Sequence, residues 1–251
     1  MSRPLIARQP RARRRRRAWW PAAAIVLVSL VALAVGPGGV VQATAGAIEQ
    51  VLVQKAFQGP LPACTIGDLP APNATLDDWD RTLLDTDYSL DRDYAPTDLV
   101  AVPESGVQGA GSVRALVVLD LEALGYAARK AGVELSVESA YRSYDAQRRT
   151  FDSLVEAYGR EFALESAGRP GHSEHQLGTT LDFTGHDEWL ADNAWRFGFV
   201  LSYPEDRSPA RTCYKPESWN YRYFGRDRAT AIHASGLSPR EWLWEHGHEE
   251  R

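Results

Sequence analysis

One stretch, Gly171-His172-Ser173-Glu174-His175-Gln176-Leu177-Gly178-Thr179-Thr180-Leu181-Asp182, limits the possibilities for this chain more than any other. His175 offers a neutral imidazole nitrogen and Asp182 a carboxylate oxygen, two of the ligand types that zinc accepts, so the segment reads as two thirds of a zinc site. Ser173, Gly178 and the paired Thr179 and Thr180 are small and suit a tight, crowded turn. The reading is therefore a loop residue followed by a strand residue rather than two positions on one helix. Taken alone, a His and an Asp at this spacing are more often structural than a metal site, and the flanking sequence has to decide.

Upstream lies Ser139-Ala140-Tyr141-Arg142-Ser143-Tyr144-Asp145-Ala146-Gln147. Downstream, Tyr214-Lys215-Pro216 leads into Glu217-Ser218-Trp219-Asn220-Tyr221-Arg222-Tyr223-Phe224-Gly225. In this order the three blocks resemble the LAS metallopeptidases, specifically the D-alanyl-D-alanine carboxypeptidases of the VanY type, over roughly Trp79 to the end of the chain. That family's pattern is a Tyr-Arg-Ser segment, then Ser-x-His-x6-Asp, then Glu-x-Trp-His. The resemblance implies zinc as cofactor, with His175 and Asp182 as ligands and Asn220 at the third ligand position. It implies that Glu217 is the general base that takes a proton from water and returns it to the leaving amine. Arg142 would stabilise the oxyanion of the attacked carbonyl, or equally grip the terminal carboxylate of the substrate. Ser173 and Gln147 match positions near the family's substrate pocket, although each would serve as well as a turn cap or a solvated helix residue. Trp219 is expected to pack beside the metal as core.

Asn220 departs from the pattern, because the family has His there. An amide oxygen is a poorer zinc ligand than imidazole. Three arrangements are open: Asn220 coordinates, another His such as His172, His186 or the more distant His233 takes its place, or the site is empty. His246 and His248 lie in a charged tail and read as solvent-facing. Ser173, His175, Asp182, Glu217 and Arg142 occur together, which argues against a fully decayed site.

The chain begins with a basic segment, residues 1–17, carrying eight arginines and no acid, followed by an apolar stretch within residues 18–41. This reads as a signal peptide or a single-pass membrane anchor, with Trp19 and Trp20 at the interface and the C-terminal part extracytoplasmic. A small-residue cleavage site at Ala43-Thr44-Ala45 keeps a secreted form open. Removing those eight arginines from 28 basic residues leaves 20 against 33 acidic ones, a formal charge near −13 for the exported part. Such a surface makes a poor nucleic-acid binder. Residues 42–75, rich in Gly, Ala and Pro, read as a linker. Cys64 and Cys213 are the only cysteines and in an exported chain are best explained as one disulfide, the alternative being two free thiols.

Residues 76–251 form the expected peptidase-like domain. An irregular wrap with a short strand is expected from Asn73 to Val102. Gly111 to Gly132 reads as a helix capped by Ser112, with Leu116, Leu119, Leu124 and Ala128 as its apolar stripe. Val133 to Tyr141 alternates like a strand. Tyr144 to Tyr158 reads as a helix burying Phe151, Leu154, Val155 and Tyr158, and Glu161 to Ala167 as a short one. Helices are expected over Asp187–Phe197, Asp227–Ser235 and Pro239–Glu245, the last capped by Ser238, and a strand over Phe199–Tyr203. Mixed elements without regular βαβ alternation argue for α+β, an antiparallel central sheet flanked by helices, and the resemblance implies the same fold.

The function expected from these residues is a zinc-dependent peptidase outside the cytoplasmic membrane. Its substrates would be peptidoglycan stem peptides ending in D-Ala-D-Ala, from which it removes the terminal D-alanine. A second expectation is a peptidoglycan-binding or regulatory protein that kept the groove but lost turnover through Asn220. A purely structural domain would not need Glu217 and Arg142 beside the His-Asp pair.

Overall fold

Alternating apolar and polar residues in three segments, Thr180–Thr184, Phe199–Tyr203 and Glu217–Tyr223, build the sheet on which the rest of the chain packs. The computed structural model describes residues 59–184 and 187–247. The basic segment 1–17, the apolar stretch of 18–41, residues 42–58, His186 and His248 lie outside the described residues. Among the described residues no helix is long and apolar enough to cross a membrane.

The strands in chain order are β1 (Leu69–Pro70), β2 (Tyr88–Ser89), β3 (Leu99–Ala101), β4 (Gln108–Gly109), β5 (Ser112–Arg114), β6 (Ser136–Ser139), β7 (Thr180–Thr184), β8 (Phe199–Tyr203) and β9 (Glu217–Tyr223). The helices are α1 (Val118–Lys130), α2 (Tyr144–Tyr158), α3 (Arg160–Ser166), α4 (Asp187–Asn193), α5 (Pro209–Thr212), α6 (Arg226–Ser235) and α7 (Pro239–His246). The main sheet runs β4-β6-β7-β9-β8. Its four last members pair antiparallel, while the two-residue β4 lies parallel to β6 at the edge. The protein is therefore α+β, with two short parallel pairings, β1 with β2 and β4 with β6, that the sequence pattern did not indicate.

Two local expectations are corrected. The helix read from Gly111 begins only at Val118: Ser112–Arg114 instead pairs with β3, and a 3-10 turn over Ala115–Val117 follows. Pairing with a distant strand overrides the local helical pattern, and it shifts the buried stripe to Val117, Leu121, Leu124 and Ala128, leaving Leu119 in solvent. Helix α2 has the expected bounds and is capped by the Ser143 hydroxyl, which accepts from the Ala146 amide. It buries Phe151 and Gln147, however, and Tyr158 stands 66% exposed at its last turn. Helix α7 carries the expected Ser238 cap as a full capping box with Glu241.

The alternation in β7 and β9 sorts residues to two faces. Leu181 and Phe183 on β7 join Tyr221 and Tyr223 on β9, Phe199 on β8 and the α1 stripe in the principal core. Phe183 meets the Tyr221 and Phe199 rings edge-on, at centroid separations of 5.8 and 6.2 Å. On the other face lie Thr180, Asp182, Asn220 and Arg222; the register pairs Thr180 with Arg222 and Asp182 with Asn220. A second cluster, Phe224, Ala229, Ile232, Trp242, Leu243 and Trp244 with Leu83, holds α6 and α7 to the chain before the sheet.

The wrap from residue 59 onwards is tied to the segment that carries His175. Arg169 donates to the Asp68 carboxylate and to the carbonyls of Gly67 and Thr86. The Leu90 amide donates to Gly171 O, and the Gln176 amide group to the carbonyls of Asp91 and Tyr94. Cys64 and Cys213 form a disulfide, joining this wrap to the lead-in of β9.

Candidate metal and catalytic centre

His175 sits in a 3-10 turn, Glu174–Leu177, that Gly178 ends in the left-handed conformation at φ 74°. A Cβ at Gly178 would also come within 3.0 Å of the Arg114 side chain, so both conformation and space require glycine. Ser173 opens the turn, and its hydroxyl accepts from the His175 amide. The turn is locked to the residues after β6 twice: the Arg142 amide donates to His175 O, and His175 Nδ1 lies 2.6 Å from Ala140 O. A carbonyl can only accept, so Nδ1 carries a proton and Nε2 is the nitrogen left to offer a lone pair.

That lone pair faces oxygen. Asp182 Oδ1 is 3.3 Å from His175 Nε2 and accepts no hydrogen bond, although it is buried. Asn220, across the ladder from Asp182, brings Nδ2 to 3.4 Å from the same Nε2, while its buried Oδ1 also has no donor. Two buried oxygens, Asp182 Oδ1 and Asn220 Oδ1, thus lack a donor beside a histidine nitrogen whose one neighbouring hydrogen comes from the Asn220 amide. Buried acceptors in this state are costly, and a proton or a cation between them removes the cost. The donor set, one imidazole nitrogen with carboxylate and amide oxygens, therefore fits a divalent metal ion. Asn220 is the weakest member for zinc. Among the described residues there is no group of three His, Cys, Asp or Glu side chains able to hold a metal, so the third position rests on the amide.

Among the described residues, the other histidines do not replace it. His172 turns to the wrap, with Nδ1 2.8 Å from Asp85 O and Nε2 3.1 Å from Asp68. His233 stacks on Trp195 at 4.2 Å, and His246 on Trp242, where its Nδ1 meets the Trp242 carbonyl; it is not in the solvated position expected for it.

A cleft of about 220 Å³ opens beside this cluster, lined among others by Arg142, Gln147, Ser173, His175, Asp182, Glu217, Trp219 and Asn220. All seven residues singled out as a candidate site thus meet at one cavity. Glu217 opens β9. On a regular strand it would face away from Asn220, three residues on, but the pairing with β8 slips between Leu201 and Tyr203, and both side chains line the cleft. Burial, reinforced by the nearby carboxylates of Asp182 and Glu174 and opposed by Arg142, pushes the Glu217 carboxyl up to about 8.

Arg142 is fixed by three neighbours. Nη2 donates to Ser139 Oγ at 2.8 Å and lies 3.6 Å from Asp182 Oδ2, and Nη1 donates to Gln147 Oε1 at 2.7 Å. Burial lowers its pKa, an effect countered by Asp182 and Glu217. Gln147 is itself buried and donates to Gly168 O at 2.6 Å, so it orients the guanidinium rather than facing solvent. Trp219 is corrected: it is 46% exposed and forms part of the cleft wall, not core.

Sequence reasoning missed Glu174, Tyr203, Tyr214 and Arg222. The first three line the cleft, and burial keeps both phenols neutral, their pKa values raised. Arg222 sits two residues beyond Asn220 on the same strand face, bonded to Glu174 at 2.9 Å. Period-two spacing from Asn220 was the available signal for it.

Comparison with known proteins supplies an independent line. A sequence model of the VanY family, D-alanyl-D-alanine carboxypeptidase, matches residues 111–226. The putative carboxypeptidase YodJ of Bacillus subtilis (strain 168) is 32% identical over 181 residues, 64% of this chain and 66% of the relative. The chain therefore spans just under two thirds of that relative's length, and half or less of two further curated relatives. Among solved structures, the LD-carboxypeptidase LdcB aligns with TM-score 0.59 and 32% identity, covering 65% of this chain and 85% of LdcB. A vancomycin-resistance D,D-pentapeptidase VanY variant in complex with Zn(II) aligns with TM-score 0.59 and 29% identity, covering 66% and 99%.

Proposed function

Since the chain belongs to the VanY-type family of LAS metallopeptidases, we propose that it is a metal-dependent peptidase that removes the terminal D-alanine from peptidoglycan stem peptides. The observation that carries this reading is the convergence of His175 Nε2, Asp182 Oδ1 and Asn220 on one point at the wall of a cleft that also holds Glu217 and Arg142.

His175, Asp182 and Asn220 would hold the cation, with zinc the candidate because the solved relative contains Zn(II). When bound, the cation would polarise the scissile carbonyl, acidify water and counter the burial, and the nearby carboxylate charge, that raise Glu217. Glu217 then has the work of moving one proton, from water to the leaving amine nitrogen, and its burial keeps its proton affinity close to that needed near neutral pH. Arg142, held by Ser139 and Gln147 with its remaining face toward the cleft, stabilises oxyanion charge on the substrate or receives its terminal carboxylate. Trp219 offers an exposed ring for the peptide to lie against. The disulfide suits an oxidising compartment outside the cytoplasmic membrane, where such substrates are found; residues 18–41 are proposed as the signal or anchor.

The test is release of D-alanine from a stem pentapeptide by the full chain, with loss on chelation and recovery with zinc. A stem tetrapeptide run in parallel separates D,D from L,D cleavage. No release from either peptide at high protein concentration with zinc supplied would sink the enzymatic reading.

One observation favours a second reading, a peptidoglycan-binding protein without turnover. Asn220 Nδ2 faces His175 Nε2 and in that orientation caps the lone pair a metal would need. Asn220→His separates the two. A catalytic wild type gains at least about tenfold in zinc affinity while already releasing D-alanine, whereas a binding protein acquires release only in the variant.

A further inference from the structure

Arg222 is wholly buried and touches none of the groups assigned to chemistry, yet it is the best-connected charge near the cleft. Its Nη1 donates to Glu174 Oε1 at 2.9 Å. Its Nη2 donates to two carbonyls of the wrap, Trp79 O at 2.7 Å and Thr82 O at 2.9 Å, and the guanidinium lies 4.6 Å above the Phe224 ring. The other Glu174 oxygen accepts from Ser202 Oγ on β8 at 2.6 Å. Glu174 thereby fastens its turn to β8, β9 and the wrap together.

The position of this knot matters. Glu174 immediately precedes His175 in the 3-10 turn, and Arg222 follows Asn220 by two residues on the same face of β9. The pair therefore sets how far the His175 turn stands from the strand bearing Asn220. Buried ion pairs contribute little net stability compared with apolar residues of the same volume, so a pair placed here has its value in direction rather than in energy.

We infer that Arg222 and Glu174 are positioning residues for the reaction proposed above, and that Trp79–Thr82, which precede the family-matched segment, belong to the same device. The inference rests on the peptidase reading for its kinetic part only. Its structural part concerns where His175 is held.

The experiment compares the full chain with Glu174→Gln/Arg222→Met, which removes both charges at once and leaves neither buried alone. Three quantities are read: the melting temperature, kcat and KM for D-alanine release, and the NMR signal of the His175 Nδ1–H proton that Ala140 O holds. The expected result is melting within a few degrees of wild type, kcat lower by about a hundredfold with KM nearly unchanged, and a broadened, faster-exchanging His175 proton. Wild-type kcat with an unaltered His175 signal overturns the proposal, as does a loss of rate that disappears well below the melting temperature. Should the double variant not fold, Glu174→Asp keeps both charges but shortens the link by one methylene. The same selective loss of kcat and altered His175 signal are expected there, and wild-type behaviour in both overturns the proposal. If the wild type releases no D-alanine, the functional reading fails by itself, and the His175 signal alone decides the positioning claim.

Discussion

The two faces of the central sheet are made by the same strands and the same alternation, yet they are held by different physics. On one, Leu181, Phe183, Tyr221 and Tyr223 meet the α1 stripe, and burial of apolar area needs only approximate shape. On the other, Asp182, Asn220 and Arg222 depend on named partners at set distances, two of them more than a hundred residues away: Arg222 reaches back 140 residues to Thr82 O and 143 to Trp79 O. An apolar face tolerates change by degrees. A buried polar face fails one bond at a time, because each lost partner strands the other.

The comparison predicts an order of effects. Removing one charge from the polar face should cost most: Arg222→Met leaves Glu174 buried without its cation and is expected to destabilise by about 3–5 kcal/mol in denaturant melts. Leu121→Ala on the apolar face should cost about 3 kcal/mol, set by the cavity it leaves. It should leave kcat within about twofold when assayed well below its melting temperature, since it touches no residue of the cleft. Equal stability losses accompanied by equal activity losses in these two variants would erase the distinction between the faces.

A further test of the polar face is a pH dependence. The folded Glu217 carboxyl lies near 8, above its ordinary value of 4.5, so the native state holds a proton that the unfolded chain has released between those pH values. Its contribution is complete below about pH 4.5 and is lost as pH rises through 8. In chelator, stability of the wild type relative to Glu217→Gln should fall by at most about 1.4 kcal/mol per pH unit across this window. A difference that is flat with pH would mean that the carboxyl is solvated, and the buried general base would have to be abandoned. The same variant should lower kcat by roughly two to four orders of magnitude.

Much of the architecture was legible before any coordinates. The bounds of α2 and β8, the α7 cap, the Cys64–Cys213 pairing and the mixed α+β class followed from periodicity, cap chemistry and cysteine count. The seven candidate residues, found through three motif blocks, do share one cleft. The helix start at Gly111 was misplaced because β3 captured Ser112–Arg114, and Tyr158 was assigned to the interior because apolar periodicity does not say where a helix runs out of neighbours.

What the sequence determined by itself was the chemistry: which side chains carry lone pairs, charge or a proton, and on which parity of a strand each falls. What only the tertiary structure decided was their company. Local pattern cannot report a slipped register that turns Glu217 and Asn220 to the same cavity, or a histidine proton committed to Ala140 O. Nor can it report a wrap whose carbonyls hold Arg222. The physical reason is range: alternation and capping act over a few residues, whereas desolvation and hydrogen-bond direction at the cleft are set by segments that meet only once the chain has folded.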